Sequence, residues 1–256
     1  MINNLTSLGI VAALNSEART LANIPLRTRT VIQLKENTLL KVSGLGAKRA
    51  HAAAASLLAK GATALLSWGS AGGLAANLVP GNLILPKTII SSDQSVFPVD
   101  SDWHERLCRL LRGYEDFHTG PLAESPIVLT SPTEKRAFSE QYDAMAVDME
   151  SASVARMASG ARVPFIVVRA VADTLEMTLP ASGLAAIDGH GRLQPLKLLY
   201  GLVRNPAELF LLIRLTRHFR NARSTLATVA RLSGDNLFGL LGPASVAPHP
   251  RYRPST

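Results

Sequence analysis

Two stretches, Val147-Asp-Met-Glu-Ser-Ala-Ser-Val-Ala-Arg-Met157 and Val167-Val-Arg-Ala-Val-Ala-Asp173, set acidic residues at the ends of apolar runs. Carboxylates are costly to bury without partners, so Glu150 and Asp173 at such places suggest a working site of perturbed acids and bases. A helix-capping acid and a loop acid fit the same two residues. Gly69-Ser-Ala-Gly-Gly73 adds a second constellation. Its glycines, Gly72 among them, allow close approach of backbone to a ligand, and Ser70 can donate a hydrogen bond. A plain tight turn is the other reading of that segment.

The elements that must position these residues alternate in type over the first 190 positions. Leu8 to Leu14, Leu39 to Val42, Ala62 to Trp68, Leu83 to Ser91, Ile127 to Thr130, Ala144 to Met149 and Pro164 to Val171 read as strands. Between them, Ala47 to Lys60, Ser101 to Leu111, Thr133 to Gln141 and Ser151 to Ser159 read as helices. Such alternation predicts an α/β domain whose mixed, mostly parallel twisted sheet is flanked by helices. Ligands bind beyond the strand ends of such sheets, and Glu17, Ser70, Glu150 and Asp173 each follow a predicted strand.

Several chemistries are disfavoured. The six histidines are scattered without metal-ligand spacing, so no metal site is expected. There is no Gly-x-Ser-x-Gly elbow for a serine hydrolase. Ser43-Gly-Leu-Gly lacks the third glycine and the acid of a dinucleotide fingerprint, and suits a helix N-terminal turn. A lone Cys108 excludes an intrachain disulfide framework and favours a reducing compartment. No secretory signal and no membrane-spanning run is evident, so the expectation is a cytoplasmic chain, soluble or attached to a membrane surface.

Charge is divided unevenly. Residues 1–191 hold 17 Lys/Arg and 17 Asp/Glu, whereas residues 192–256 hold 10 against 2, which is the whole net charge of +8. This predicts a catalytic domain over 1–191, a basic helical extension over 192–241 and a disordered tail over 242–256. Helices are expected over Leu193 to Leu202 and Pro206 to Arg231. Leu209, Phe210, Leu212, Ile213, Leu215 and Phe219, interleaved with Arg214, Arg217, Arg220 and Arg223, suit an anionic membrane surface or simple packing on the core. The segment is too apolar for a nucleic-acid partner.

Four segments in order resemble the nucleoside phosphorylase and methylthioadenosine/S-adenosylhomocysteine nucleosidase superfamily. They are Gly9-Ile-Val-Ala-Ala-Leu-Asn-Ser-Glu17, Ser43-Gly-Leu-Gly46, Gly69-Ser-Ala-Gly-Gly-Leu74 with Pro80-Gly-Asn-Leu-Ile84, and Val147-Asp-Met-Glu150 through Arg169-Ala-Val-Ala-Asp173. The resemblance covers residues 8 to 175. Phe97-Pro-Val-Asp100, Thr130-Ser-Pro-Thr-Glu-Lys135, Leu179-Pro180 and the basic helical C-terminus resemble the hopanoid-associated branch, linked to adenine removal from adenosylhopane.

The resemblance implies a single phosphorylase/nucleosidase-like domain that cleaves an N-glycosidic bond. It makes Asp173 the general acid at adenine N7, Glu150 the ribose-binding carboxylate and Glu17 the acid that activates water. Met149 packs on the sugar, Arg169 fixes Glu150 by a charged hydrogen bond, and Ser70 and Gly72 line the nucleophile side. No cofactor is implied beyond inorganic phosphate as a co-substrate. Ser67 stands where bacterial phosphorylases carry a phosphate-gripping arginine, which with Glu17 favours hydrolysis; Arg19, Arg27, Arg29 or Lys48 are the other sources of a phosphate site. Ala172 replaces a serine common before the acid, and no adenine-stacking aromatic is identified. The implied substrate is an adenine nucleoside with a bulky apolar 5′ group, and the implied assembly a homodimer or larger. Phosphorolysis, a soluble purine nucleosidase and a purine-binding scaffold are the alternatives.

Overall fold

The computed structural model describes residues 6–22, 30–113, 117–186, 188 and 194–240. The strands are β1 (Leu8–Ala12), β2 (Ile32–Lys35), β3 (Thr38–Val42), β4 (Ala64–Gly73), β5 (Leu83–Ile84), β6 (Thr88–Ile90), β7 (Val96–Pro98), β8 (Phe117–His118), β9 (Leu122–Glu124), β10 (Ala146–Asp148) and β11 (Phe165–Asp173). The helices are α1 (Asn15–Ala18), α2 (Ala47–Ala59), α3 (Ser101–Leu110), α4 (Pro132–Tyr142), α5 (Ser151–Ala161), α6 (Ala181–Ala185), α7 (Pro195–Arg204) and α8 (Glu208–Ser233), followed by a 3-10 turn over Gly234–Gly239.

The sheet runs β2-β3-β1-β4-β10-β9-β6-β7, with β11 against β4 and β5, and β8 against β5. Parallel pairings outnumber antiparallel ones, as the alternation of elements predicts. Helix α2 buries Ala50, Ala53, Ala54 and Leu57, a stripe at helical spacing that packs with α5 against the sheet. Small alanines let that helix approach the strands closely. Helix α8 packs against β11 elsewhere in the sheet.

The axis of the fold is β4. Its buried run Ala64–Trp68 is flanked by β1 on one edge and β11 on the other. The glycine-rich stretch Gly69–Gly73, which follows the expected strand Ala62 to Trp68, continues this strand and is no tight turn. It stays extended because β11 pairs with it as far as Gly72 and β10 pairs with Gly72 and Gly73. Glycine is needed at 69 because a Cβ there would meet the Arg169 guanidinium, and would stand 2.9 Å from the Glu17 carboxylate.

Other expectations are corrected. Ile127 to Thr130 is no strand; the pairing strand is β9, just before it, and Ile127 is exposed. Leu83 to Ser91 splits into β5 and β6 around Leu85-Pro-Lys87, where proline removes a ladder donor. The basic helical extension is present as α7 and α8, and α8 packs into the main core. Ala222, Leu226 and Val229 of α8 are fully buried in the main core, each Leu or Val contributing roughly 1.5–3 kcal/mol of burial. Thr225 Oγ1 donates to Gly81 O at 2.7 Å, and Trp103 Nε1 to Phe238 O at 2.8 Å. The tail expected over 242–256 lies outside the described residues.

Candidate active site

A break in the strand pairing creates the site. β1 pairs with β4 only as far as Trp68, and β10 only from Gly72, so Gly69 to Ala71 lack a strand neighbour on that edge. A backbone N–H exposed there needs another acceptor. Glu17, delivered by the short helix α1 after β1, supplies it: Oε1 accepts from Ser70 N at 2.8 Å and Ser70 Oγ at 2.7 Å. Oε2 accepts from Leu14 N at 3.0 Å. Glu17 is thus buried and fixed, and Ser70 orients it.

At the opposite lip, β10 ends in Asp148 and the chain turns into α5. Glu150 is the N-cap residue of α5, but Asp148 supplies the acceptor, its Oδ1 accepting from Ser151 N at 3.2 Å and Glu150 N at 3.3 Å. That leaves the Glu150 side chain free of capping, and its Oε1 accepts from Gly46 N at 2.8 Å. Gly46 caps α2 at a φ of 96°, so Ser43-Gly-Leu-Gly46 is the helix N-terminal turn that its sequence suggests. Burial first, and Asp148 second, push the Glu150 carboxyl up to about 8, against the opposing pull of Arg169. Glu124, behind the same lip, accepts from Ser153 N at 2.9 Å; burial and Asp148 push it up to about 7.

The expected hydrogen bond from Arg169 to Glu150 is replaced by another pairing. Arg169 Nη2 lies 2.6 Å from Asp148 Oδ2, with both side chains 1% exposed. It also donates to Ser67 Oγ at 2.8 Å and Ser151 Oγ at 3.0 Å. The reason is register: Arg169 lies beside Gly69 and reaches across the sheet beneath the cleft, where Asp148 is the nearer anion. Arg169 is therefore a support and does not line the cleft. Ser67 is fully buried in the same network.

Asp173 closes β11 after a register shift between Val171 and Asp173, which leaves Ala172 as the unpaired residue of a bulge. Bulges re-aim side chains beside active sites, and this one brings the Asp173 carboxyl over Gly72. A Cβ at 72 would stand 3.3 Å from Oδ2 and 3.1 Å from Val147 Cγ1. A partner absent from the expected site appears here: Lys135 Nζ contacts Asp173 Oδ2 at 2.5 Å. Burial raises the Asp173 carboxyl above its ordinary range despite the opposing charge of Lys135. His218 of α8 also faces Asp173; burial, then Arg214, push its imidazole down.

Glu17, Ser70, Gly72, Met149, Glu150 and Asp173 all line one cleft of about 230 Å³. Leu215 and Phe219 line it too, so these two members of the expected membrane stripe face the site. Phe219 is the aromatic of the described cleft wall, which the sequence assigned to the membrane stripe or to core packing and not to the site. Among the described residues no cluster of three or more His, Cys, Asp or Glu is arranged to hold a metal ion. Arg19 and Lys48 do not line the cleft. Arg27 and Arg29 lie outside the described residues.

The profile of the Phosphorylase superfamily matches residues 8–186. No curated protein is a significant match. Among solved structures, the 5′-methylthioadenosine/S-adenosylhomocysteine nucleosidase of Helicobacter pylori is similar over 90% of this chain and 98% of its own, at 16% identity and a TM-score of 0.69. The futalosine hydrolase of the same organism is similar over the same shares at 17% identity and a TM-score of 0.69. The S-adenosylhomocysteine nucleosidase of Streptococcus pyogenes covers 93% and 99%, at 18% identity and a TM-score of 0.68.

Proposed function

The chain belongs to the phosphorylase superfamily, and on that premise we propose that it hydrolyses the N-glycosidic bond of an adenine nucleoside carrying a bulky apolar 5′ group, adenosylhopane, and releases adenine. The observation that carries the reading is the convergence of Asp173, Glu150 and Glu17 on one cleft at a break in the sheet. Asp173, whose carboxyl burial raises above its ordinary range, donates a proton to adenine N7. The C1′–N9 bond breaks with its electron pair going to the base. Glu150 accepts hydrogen bonds from the ribose hydroxyls and faces the developing ribosyl cation. Glu17 takes a proton from water as its oxygen attacks C1′. General acid catalysis of this kind is worth roughly 10²–10⁴-fold.

Water is favoured over phosphate by charge. Lys135 is the one cation on the described cleft wall, and it is engaged with Asp173. Ser67 faces Arg169 and Ser151 beneath the cleft.

The cleft is smaller than the roughly 300–1,000 Å³ of pockets for drug-sized ligands, so it accommodates the nucleoside and leaves an apolar 5′ group at its mouth. Helix α7, packed on α6, exposes Leu196, Leu199, Tyr200 and Val203 at helical spacing, and α8, whose Leu215 and Phe219 line the cleft, exposes Leu209, Phe210 and Ile213. Lys197, Arg204 and Arg217 stand beside them, and Arg204 lies over the Tyr200 ring at 4.9 Å. These features support docking on an anionic membrane surface, each cation contributing about 1 kcal/mol. No helix of the described residues is long and apolar enough to cross a membrane.

The test is adenine release from adenosylhopane and from methylthioadenosine, with and without phosphate, on vesicles with and without anionic lipid. Release without phosphate, preferring adenosylhopane and lost in Asp173→Asn, is expected. Strict phosphate dependence would overturn hydrolysis, and full activity of Asp173→Asn the acid assignment.

A further inference from the structure

We infer that Lys135 is the positioning residue of the acid, a buried clip that holds one oxygen of Asp173 and presents the other to the leaving base. The inference rests on the nucleosidase reading for the role of Asp173, and on geometry for the clip itself.

An ammonium has three donors, and Lys135 spends all three. It donates to Asp173 Oδ2 at 2.5 Å, Thr174 O at 2.7 Å and Met177 O at 3.0 Å. Its side chain is 1% exposed. Nothing remains to bind phosphate or a sugar hydroxyl, so its work is done through its partners. Burying a lysine is costly unless it is fully paired, and such an arrangement on a catalytic lip calls for a reason. Two of the acceptors are carbonyls in the segment that follows the acid. Lys135 therefore ties Asp173 and residues 174–177 to α4 as one body.

A capping box decides where the clip arrives. Ser131 Oγ accepts from Glu134 N at 3.2 Å, and Glu134 Oε2 accepts from Ser131 N at 3.0 Å. Pro132 occupies the first turn. Lys135 is the next residue after Glu134, and the start of the helix sets its direction. The exposed pair of Arg136 with Glu176 at 2.5 Å fastens the same segment from outside.

The chemical consequence concerns the proton. Asp173 Oδ1 accepts no hydrogen bond from any described residue, so the held oxygen is Oδ2 and the working oxygen Oδ1. When the proton leaves for adenine, the carboxylate that forms is already paired with a cation. Lys135 from α4 and His218 from α8, with Arg214 behind it, are the titratable and charged groups facing Asp173.

Full-length Lys135→Met and Lys135→Arg test this with two readouts: the pH profile of adenine release, and the titration of the Asp173 carboxyl followed by carbon-13 NMR with Asp173→Asn as assignment control. Lys135→Met should raise the Asp173 titration, and the alkaline limb of kcat with it, by about one pH unit or more, the size expected for losing an adjacent opposite charge. Its kcat should fall about 100-fold, the cost of a misplaced reacting group, with KM little changed. Lys135→Arg should keep the titration near that of the parent yet recover only part of kcat, because a planar guanidinium cannot reach the three acceptors. A folded Lys135→Met with an unmoved titration overturns the inference. If Lys135→Met does not fold, Lys135→Arg with parental kcat overturns it instead. A parent chain that releases no adenine from any nucleoside overturns the function, while the NMR titration still decides the clip.

Discussion

Removing the guanidinium of Arg169 tests the electrostatic frame of the site. The Nη2–Oδ2 distance to Asp148 is 2.6 Å with both side chains 1% exposed, so neither partner finds water when the other is lost. Breaking such a pair from one side costs about 3–5 kcal/mol, because an uncompensated charge stays buried. Arg169→Met and Asp148→Asn should each fall in that range. The double variant buries neither charge, so its cost should undercut the sum by about 2–3 kcal/mol, the coupling expected for contacting groups. Glu150 provides the control. Its hydrogen bond goes to Gly46, and burial raises its carboxyl above the ordinary range, so its attraction to Arg169 acts without a direct contact.

The assay is urea unfolding of the four proteins of each cycle at neutral pH. The coupling with Glu150→Gln should be clearly smaller than that with Asp148→Asn, because Arg169 contacts Asp148 directly and attracts Glu150 without a direct contact. A larger coupling of Arg169 with Glu150 than with Asp148 refutes the assigned pairing and restores the direct bond that the sequence suggests.

Two further outcomes follow from the same geometry. The folded Glu150 carboxyl binds a proton that the unfolded chain, near the ordinary value of 4.5, releases; its stabilising contribution is present below that value and is lost as pH rises toward about 8. Glu150→Gln should therefore flatten the fall in stability between those limits, measured as urea midpoints across pH, and parallel curves would contradict the burial of a protonated acid. Gly72→Ala places a Cβ 3.3 Å from Asp173 Oδ2 and 3.1 Å from Val147 Cγ1, which should cost about 1–3 kcal/mol of stability by overpacking. Because Lys135 prevents Asp173 from yielding, adenine release should drop further than stability does, and a Gly72→Ala variant with parental kcat would show that the acid has room to move.

The legible parts of the chain were those where one face of an element meets one environment. Ala50, Ala53, Ala54 and Leu57 announce α2 by spacing, and the apolar run before Asp173 announces β11. Glycine misled at 69–73, because turn chemistry is its usual reason and room for a neighbour's side chain leaves the same letter. Phe219 was hidden by arginines at intervals of three, which spread charge around α8 while its inner face still packed on the cleft. Lys135 entered the sequence reading only within the Thr130–Lys135 segment, with no role of its own. Only the capping box before it, by fixing the first turn of α4, carried a signal of where it points.

These two lysine and arginine cations also decide the character of the cleft. Among the described residues the site region buries Glu17, Glu124, Asp148 and Glu150, with Asp173 at its edge, against Arg169 and Lys135. Each cation is committed to one acid, Arg169 to Asp148 and Lys135 to Asp173. Glu17 and Glu150 are left with N–H and O–H donors for hydrogen bonds, from Ser70, Leu14 and Gly46. Under the proposed hydrolysis, such a set of acceptors would disfavour an arriving phosphate dianion and suit a ribosyl centre that turns positive as the base departs.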